Sequence, residues 1–124
     1  MTKCILVVDD EATIRELVAD ALREADYQVR TAANGVLAWQ TLSEWLPDAI
    51  VLDLMMPLLD ASGFIKLLRA DARFADVPVL IVTAAYGAGS EAERLGAQAW
   101  LSKPFALDDL LARIAALVGD RVSA

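Results

Sequence analysis

One set of polar side chains stands where an otherwise apolar chain gives little reason to expect it. Asp9, Asp10 and Glu11 come directly after the run Cys4-Ile5-Leu6-Val7-Val8. Asp53 sits inside Ile50-Val51-Leu52-Asp53-Leu54-Met55-Met56-Pro57, Thr83 follows Val79-Leu80-Ile81-Val82, and Lys103 lies just past Trp100-Leu101. A carboxylate placed in such a run is costly to bury without a partner. Two or three carboxylates sharing a pocket repel one another, so a cation enters or one of them takes up a proton. An all-oxygen donor set suits Mg²⁺, which keeps several waters and reserves a position for a phosphate oxygen. A carboxylate beside such a cation can attack phosphorus and become an aspartyl phosphate. The new dianion then needs fixed counter-charge and a hydrogen-bond donor. Lys103 supplies the first and the Thr83 hydroxyl the second. Taken singly, each residue has an ordinary structural reading: a solvated turn, a β-branched strand filler, a snorkelling lysine. Their joint placement, each just after an apolar run, is what points to a site.

The elements that must position these groups are legible in the hydropathy. Five short apolar runs alternate with five stretches of helical period. The first strand is Cys4 to Val8. Ile14, Leu17, Val18, Ala21 and Leu22 then form one stripe of an amphipathic helix. Tyr27 to Ala32 is a weaker strand, and Asn34-Gly35 leads into a helix carrying Leu37, Ala38, Leu42, Trp45 and Leu46 that ends before Pro47. Ala49 to Leu52 is the third strand, with Phe64, Ile65 and Leu68 on the helix after it. Val79 to Val82 is the fourth, entered through Pro78, and a short helix is expected around Glu91 to Leu95. Trp100-Leu101 is the fifth strand. The last helix turns Leu107, Leu110, Leu111, Ile114 and Leu117/Val118 inward, with Asp108 and Asp109 in a first turn whose dipole favours anions. Apolar strands without alternation are covered on both faces, so the sheet is predicted to be parallel with helices on either side. In such a sheet the carboxyl ends of the strands share one edge, where ligands bind. Groups spread from Asp9 to Lys103 therefore converge.

The 124 residues fit one domain, 1–124, with no linker, repeat or low-complexity segment. At 57% the hydrophobic share is above the usual value, which agrees with a sheet buried on both faces. The longest uncharged run, Val77 to Ser90, is too short to span a bilayer, and no signal peptide is visible after Met1-Thr2-Lys3. The single Cys4 forms no internal disulfide and reads as a small core residue. These features predict a cytoplasmic protein. A net charge of −7 argues against nucleic-acid binding by this domain, because phosphate contacts need clustered Lys and Arg. With no histidine in the chain, any histidine chemistry must come from another protein.

The segments "ILVVDDE", "IVLDLMMP", "VLIVTAA" and "WLSKPF", in that order, resemble the receiver domain of two-component response regulators. The resemblance covers essentially the whole chain. It implies a three-layer (βα)5 flavodoxin-like α/β sandwich with a parallel five-stranded sheet of order 2-1-3-4-5. It implies that Asp53 accepts a phosphoryl group from a phosphohistidine on a sensor histidine kinase or histidine phosphotransfer protein. Mg²⁺ would be organised by Asp9, Asp10, Asp53 and the backbone carbonyl of Met55, with Asp10 and Asp53 as direct ligands and Asp9 acting through water. Lys103 would pair with the acyl phosphate, Thr83 would move to meet it, and Ala84 matches the small residue that keeps access open. The Lys103-Pro104 bond is expected to be cis. Such a domain is a phosphorylation switch rather than an enzyme acting on other substrates. Its output partner, or a second copy in a homodimer, would meet the face of the fourth and fifth strands.

Three positions depart from the family pattern. The switch aromatic, usually Tyr or Phe, is Trp100; the stretch between Thr83 and Lys103 is shorter than usual; and Ala61 stands where a glycine is normal, so the loop before it is expected to run differently. The apolar Met55 and Ala85 offer little to hydrogen-bond an attacking water, which predicts a long-lived phosphoryl group. Two other function classes share parts of the pattern. A small Mg²⁺-dependent aspartyl-phosphate hydrolase would carry a second Asp where this chain has Met55, and a pseudo-receiver scaffold would not need Asp9, Asp10, Asp53, Thr83 and Lys103 intact. A flavin-binding relative of the same architecture would want a phosphate-cradling loop after the first strand, where "VVDDEAT" is acidic.

Overall fold

The computed structural model describes residues 2–53, 61–84, 94 and 96–119. Five strands, β1 (Cys4–Val8), β2 (Gln28–Ala32), β3 (Ala49–Asp53), β4 (Val79–Thr83) and β5 (Ala99–Ser102), pair in parallel in the order β2-β1-β3-β4-β5. The described helices are α1 (Ala12–Glu24), α2 (Gly35–Leu42), α3 (Ala61–Ala70) and α4 (Leu107–Val118). The expected helix around Glu91 to Leu95 falls largely outside the described residues.

The strands alternate faces, and both faces are apolar. Leu6, Val8, Ile50, Leu52, Val79 and Ile81 join Ala38 and Leu42 of α2 and Phe64, Ile65 and Leu68 of α3 in one core. Ile5, Val7, Val51, Leu80 and Val82 join Val18 and Leu22 of α1 and Leu110 and Ile114 of α4 in the other. This two-sided burial is why the strand sequences read as unbroken apolar runs. Trp39 closes the first core, edge-on to Phe64 and Phe74 with ring centroids 6.3 and 5.7 Å away.

Local chemistry sets the helix ends. The Asn34 side chain accepts a bond from Leu37 N–H at 2.9 Å and starts α2. Gly119, at φ 75°, closes α4 in the left-handed region that a Cβ disfavours. Helix α2 stops at Leu42, earlier than the apolar spacing suggests, where the backbone tightens into i→i−3 bonds from the Ser43 N–H to the Gln40 carbonyl (3.2 Å) and from the Glu44 N–H to the Thr41 carbonyl (3.1 Å). Trp45 consequently lies outside the helix, beneath the Arg30 guanidinium at 5.2 Å, and Leu46 is exposed. On α1 the buried residues are Val18, Ala19 and Leu22, whereas Leu17 is 50% exposed. Cys4 is half-buried at the opening of β1 rather than within the core, and burial together with the Asp48 charge raises its thiol pKa.

Arg69 ties the end of α3 to the starts of two strands. Its guanidinium donates to the carbonyls of Ala75 (3.1 Å) and Val77 (2.7 Å) and to Gln98 Oε1 (3.1 Å), and Gln98 Oε1 also accepts the Val79 N–H at 2.8 Å. One side chain thereby anchors the entry to β4 and the entry to β5.

Candidate functional site

Because every strand runs the same way, the carboxyl ends of β1, β3, β4 and β5 share one edge. Asp9 leaves β1 with its N–H bonded to the Ala32 carbonyl at 3.2 Å, so it is still held like a strand residue. Asp53 is the last residue of β3, paired in register with Val82. Thr83 ends β4 opposite Ser102, and its carbonyl accepts the Lys103 N–H at 2.8 Å. Asp9 is 1%, Asp53 4% and Thr83 0% exposed. The bond between Lys103 and Pro104 is cis.

At this edge a single ammonium answers three carboxylates. Lys103 Nζ lies 3.0 Å from Asp9 Oδ2, 3.1 Å from Glu11 Oε1 and 3.3 Å from Asp53 Oδ2. Asp9 uses its other oxygen to accept the Glu11 N–H at 2.9 Å, and its carbonyl accepts Arg15 Nη1 at 2.9 Å. Burial on its own would lower the Lys103 pKa. The hydrogen bonds to Asp9 and Glu11 and the charges of Asp53 and Asp9 outweigh it and raise the pKa above the ordinary lysine value.

Carboxylate oxygens of Asp9, Asp10 and Asp53 lie within 4.8 Å of one another. The sequence-derived pocket is thus assembled: Asp9, Asp10, Asp53 and Lys103 meet, and Thr83 stands beside them at the end of β4. Ala84 follows Thr83 and is exposed. Trp100 lies on the edge strand β5, paired with Ile81 and 38% exposed, with its carbonyl 3.5 Å from Arg113 Nη1. Met55 and Ala85 fall outside the described residues. Ala61 has no positive φ; it is buried and opens α3.

In the sequence Glu11 belongs to the acidic run with no role of its own, and Arg15 does not stand out. Neither carries a local signal: Glu11 meets Lys103 from far along the chain, and Arg15 donates to the Asp9 carbonyl rather than to a side chain. An open cleft of about 480 Å³ adjoins the pocket, walled by Ile14, Leu17, Phe105 and Leu107, with Glu11 and Lys103 at its polar side.

A parallel five-stranded sheet between two helical layers, with an acidic pocket and a lysine at its carboxyl edge, defines a class of small signalling domains. A family model described as the response regulator receiver domain matches residues 5–115, and the chain belongs to that family. It is a receiver domain of the two-component type. It is 41% identical over 109 residues to the response regulator Rre1 of Synechocystis, covering 86% of this chain and 47% of that protein. The chain therefore spans about half the length of the curated relatives it matches. The crystal structure of the Vibrio cholerae chemotaxis protein CheY4 superposes with a TM-score of 0.88 at 31% identity, covering 94% of this chain and 99% of that one. The receiver domain of the sensor histidine kinase PA1611 from Pseudomonas aeruginosa, solved with a magnesium ion coordinated in its active-site cleft, gives 0.87 at 26% identity, covering 97% and 100%. Among the described residues no helix is long and apolar enough to cross a membrane.

Proposed function

We propose that residues 1–124 form one phosphoacceptor domain in which Asp53 takes a phosphoryl group from a phosphohistidine borne by a sensor histidine kinase or a histidine phosphotransfer protein. The observation that carries this reading is a nearly sealed carboxylate, Asp53, 3.3 Å from an ammonium and grouped with the oxygens of Asp9 and Asp10.

The donor set fits Mg²⁺: hard carboxylate oxygens, close together, with neither imidazole nor thiolate among them. Asp10 and Asp53 would hold the ion directly, Asp9 through water, and the Met55 carbonyl would complete the protein's share. When bound, the ion neutralises charge on the phosphoryl oxygens. The transfer itself is a displacement at phosphorus. An Asp53 oxygen forms the new P–O bond, the P–N bond of the phosphohistidine breaks, and its electron pair returns to the imidazole. Lys103 then exchanges its bond to the Asp53 carboxylate for one to a phosphoryl oxygen on the same side chain. The Thr83 hydroxyl donates to another oxygen, and the exposed Ala84 leaves the approach open.

The chain turns over no external substrate in this reading; it promotes only its own phosphorylation and dephosphorylation. Phosphorylation biases a two-state equilibrium and alters the β4/β5 face, which meets an output partner or a second copy. The domain works in the cytoplasm, without nucleic acid or membrane as its own ligand. Tryptophan fluorescence during addition of Mg²⁺ and beryllofluoride tests this directly. An Asp53-dependent change, absent in Asp53→Ala, is expected, and its loss in Trp100→Phe would put the indole in the switch. No saturable change in wild type, with equal Mg²⁺ titrations for wild type and Asp53→Ala, would favour a binding scaffold instead.

A further inference from the structure

Of the three carboxylates on Lys103, two have a part in the proposed chemistry and the third does not. Glu11 occupies the N-cap position of α1 in an extended conformation, yet its side chain makes no cap bond. It reaches Lys103 instead, at 3.1 Å, with its backbone N–H already fixed by Asp9 Oδ1. Its side chain is 60% exposed, in contrast to Asp9 and Asp53, and it lines the open cleft beside the pocket. A negative charge is thus held at the mouth of a site whose incoming group is also negative.

We propose that Glu11 is a positioning residue that sets donor preference: it holds Lys103 from the solvent side and, by its charge, opposes small anionic phosphodonors. This inference rests on phosphoryl acceptance at Asp53. An ammonium has three N–H bonds, and here all three go to carboxylates. Phosphorylation replaces only the partner at Asp53, so Glu11 keeps its hold while the phosphoryl group arrives. Its charge therefore acts throughout the approach. A protein-borne phosphohistidine, carried in by its own docking contacts, is less affected than a free dianion whose encounter depends on the local field.

The test compares wild type, Glu11→Gln and Asp53→Ala with two small donors, following the mass gain of one phosphoryl group with time in Mg²⁺. Glutamine keeps an oxygen that can accept from Nζ and removes the charge. Acetyl phosphate, a dianion at neutral pH, is expected to phosphorylate Glu11→Gln roughly three- to tenfold faster than wild type at low salt. The gain is expected to be smaller with the less negative phosphoramidate and to shrink as salt is raised. A merely structural prop would move neither the donor dependence nor the salt dependence. Equal rates for wild type and Glu11→Gln, or the same gain with both donors at every salt concentration, would overturn the assignment while leaving acceptance at Asp53 standing. Absence of any Asp53-dependent adduct in either protein would remove the reading beneath it, and this inference with it.

Discussion

Replacing Lys103 by methionine keeps a side chain of similar length and removes the ammonium that Asp9 and Asp53 share. Both carboxylates are nearly sealed from water, at 3.0 and 3.3 Å from Nζ. A charge-assisted bond of this kind is worth about 1.5–3 kcal/mol when one partner is lost. The exposed Glu11 contributes little, and water reaching a rim site offsets part of the rest, which leaves about 2–4 kcal/mol. For a domain of this size that lowers Tm by roughly 6–20 °C. The assay is thermal unfolding in EDTA and in Mg²⁺. Lys103→Met is expected to be destabilised in EDTA and to regain more from Mg²⁺ than wild type, because a cation then replaces the missing ammonium. Adding Asp53→Asn to Lys103→Met should recover a large share of the loss by removing one of the repelling charges. A Tm within about 2 °C of wild type in EDTA, or an equal Mg²⁺ increment in both proteins, would refute the view that Lys103 holds this pocket together.

Three further outcomes are expected. The Lys103 pKa is raised above its ordinary value of 10.5. The stability this residue adds is therefore fully present below that value and lost only as pH rises beyond it. Denaturant unfolding of wild type and Lys103→Met should show a difference that is flat from neutrality to about pH 10 and shrinks in stronger alkali. Arg69→Ala leaves the Ala75 and Val77 carbonyls and Gln98 without their guanidinium partner; a loss of about 1–3 kcal/mol in urea unfolding is expected. Phe64→Ala empties a fully buried site beneath Trp39; it should cost about 3–5 kcal/mol by the same measurement.

The sheet and the pocket were readable because one physical fact controls both. Strands buried on two faces must be apolar throughout, so Asp53 and Thr83 at the ends of β3 and β4 stand out against their own runs. Parallel pairing then places such ends on one edge. Lateral detail was less readable. The apolar spacing that carries α2 on through Trp45 and Leu46 takes no account of the tightened backbone turn at Ser43 and Glu44 or of the Arg30 guanidinium that receives the indole. Leu17 falls on the predicted stripe of α1, but it faces the cleft beside Phe105 and Leu107 rather than the core. Glu11 was indistinguishable from a solvated cap, because its partner lies 92 residues further along the chain. Arg69 carries no periodic signal at all, since its acceptors are mostly backbone carbonyls in neighbouring turns.

The most direct measurement is intact-mass analysis of the protein with acetyl phosphate, with and without Mg²⁺, followed by peptide mapping of any adduct. A single phosphoryl group that requires Mg²⁺, maps to Asp53 and disappears in Asp53→Ala is the predicted result. A phosphoryl group on another residue, or none under any condition that saturates related acceptors, would contradict the account.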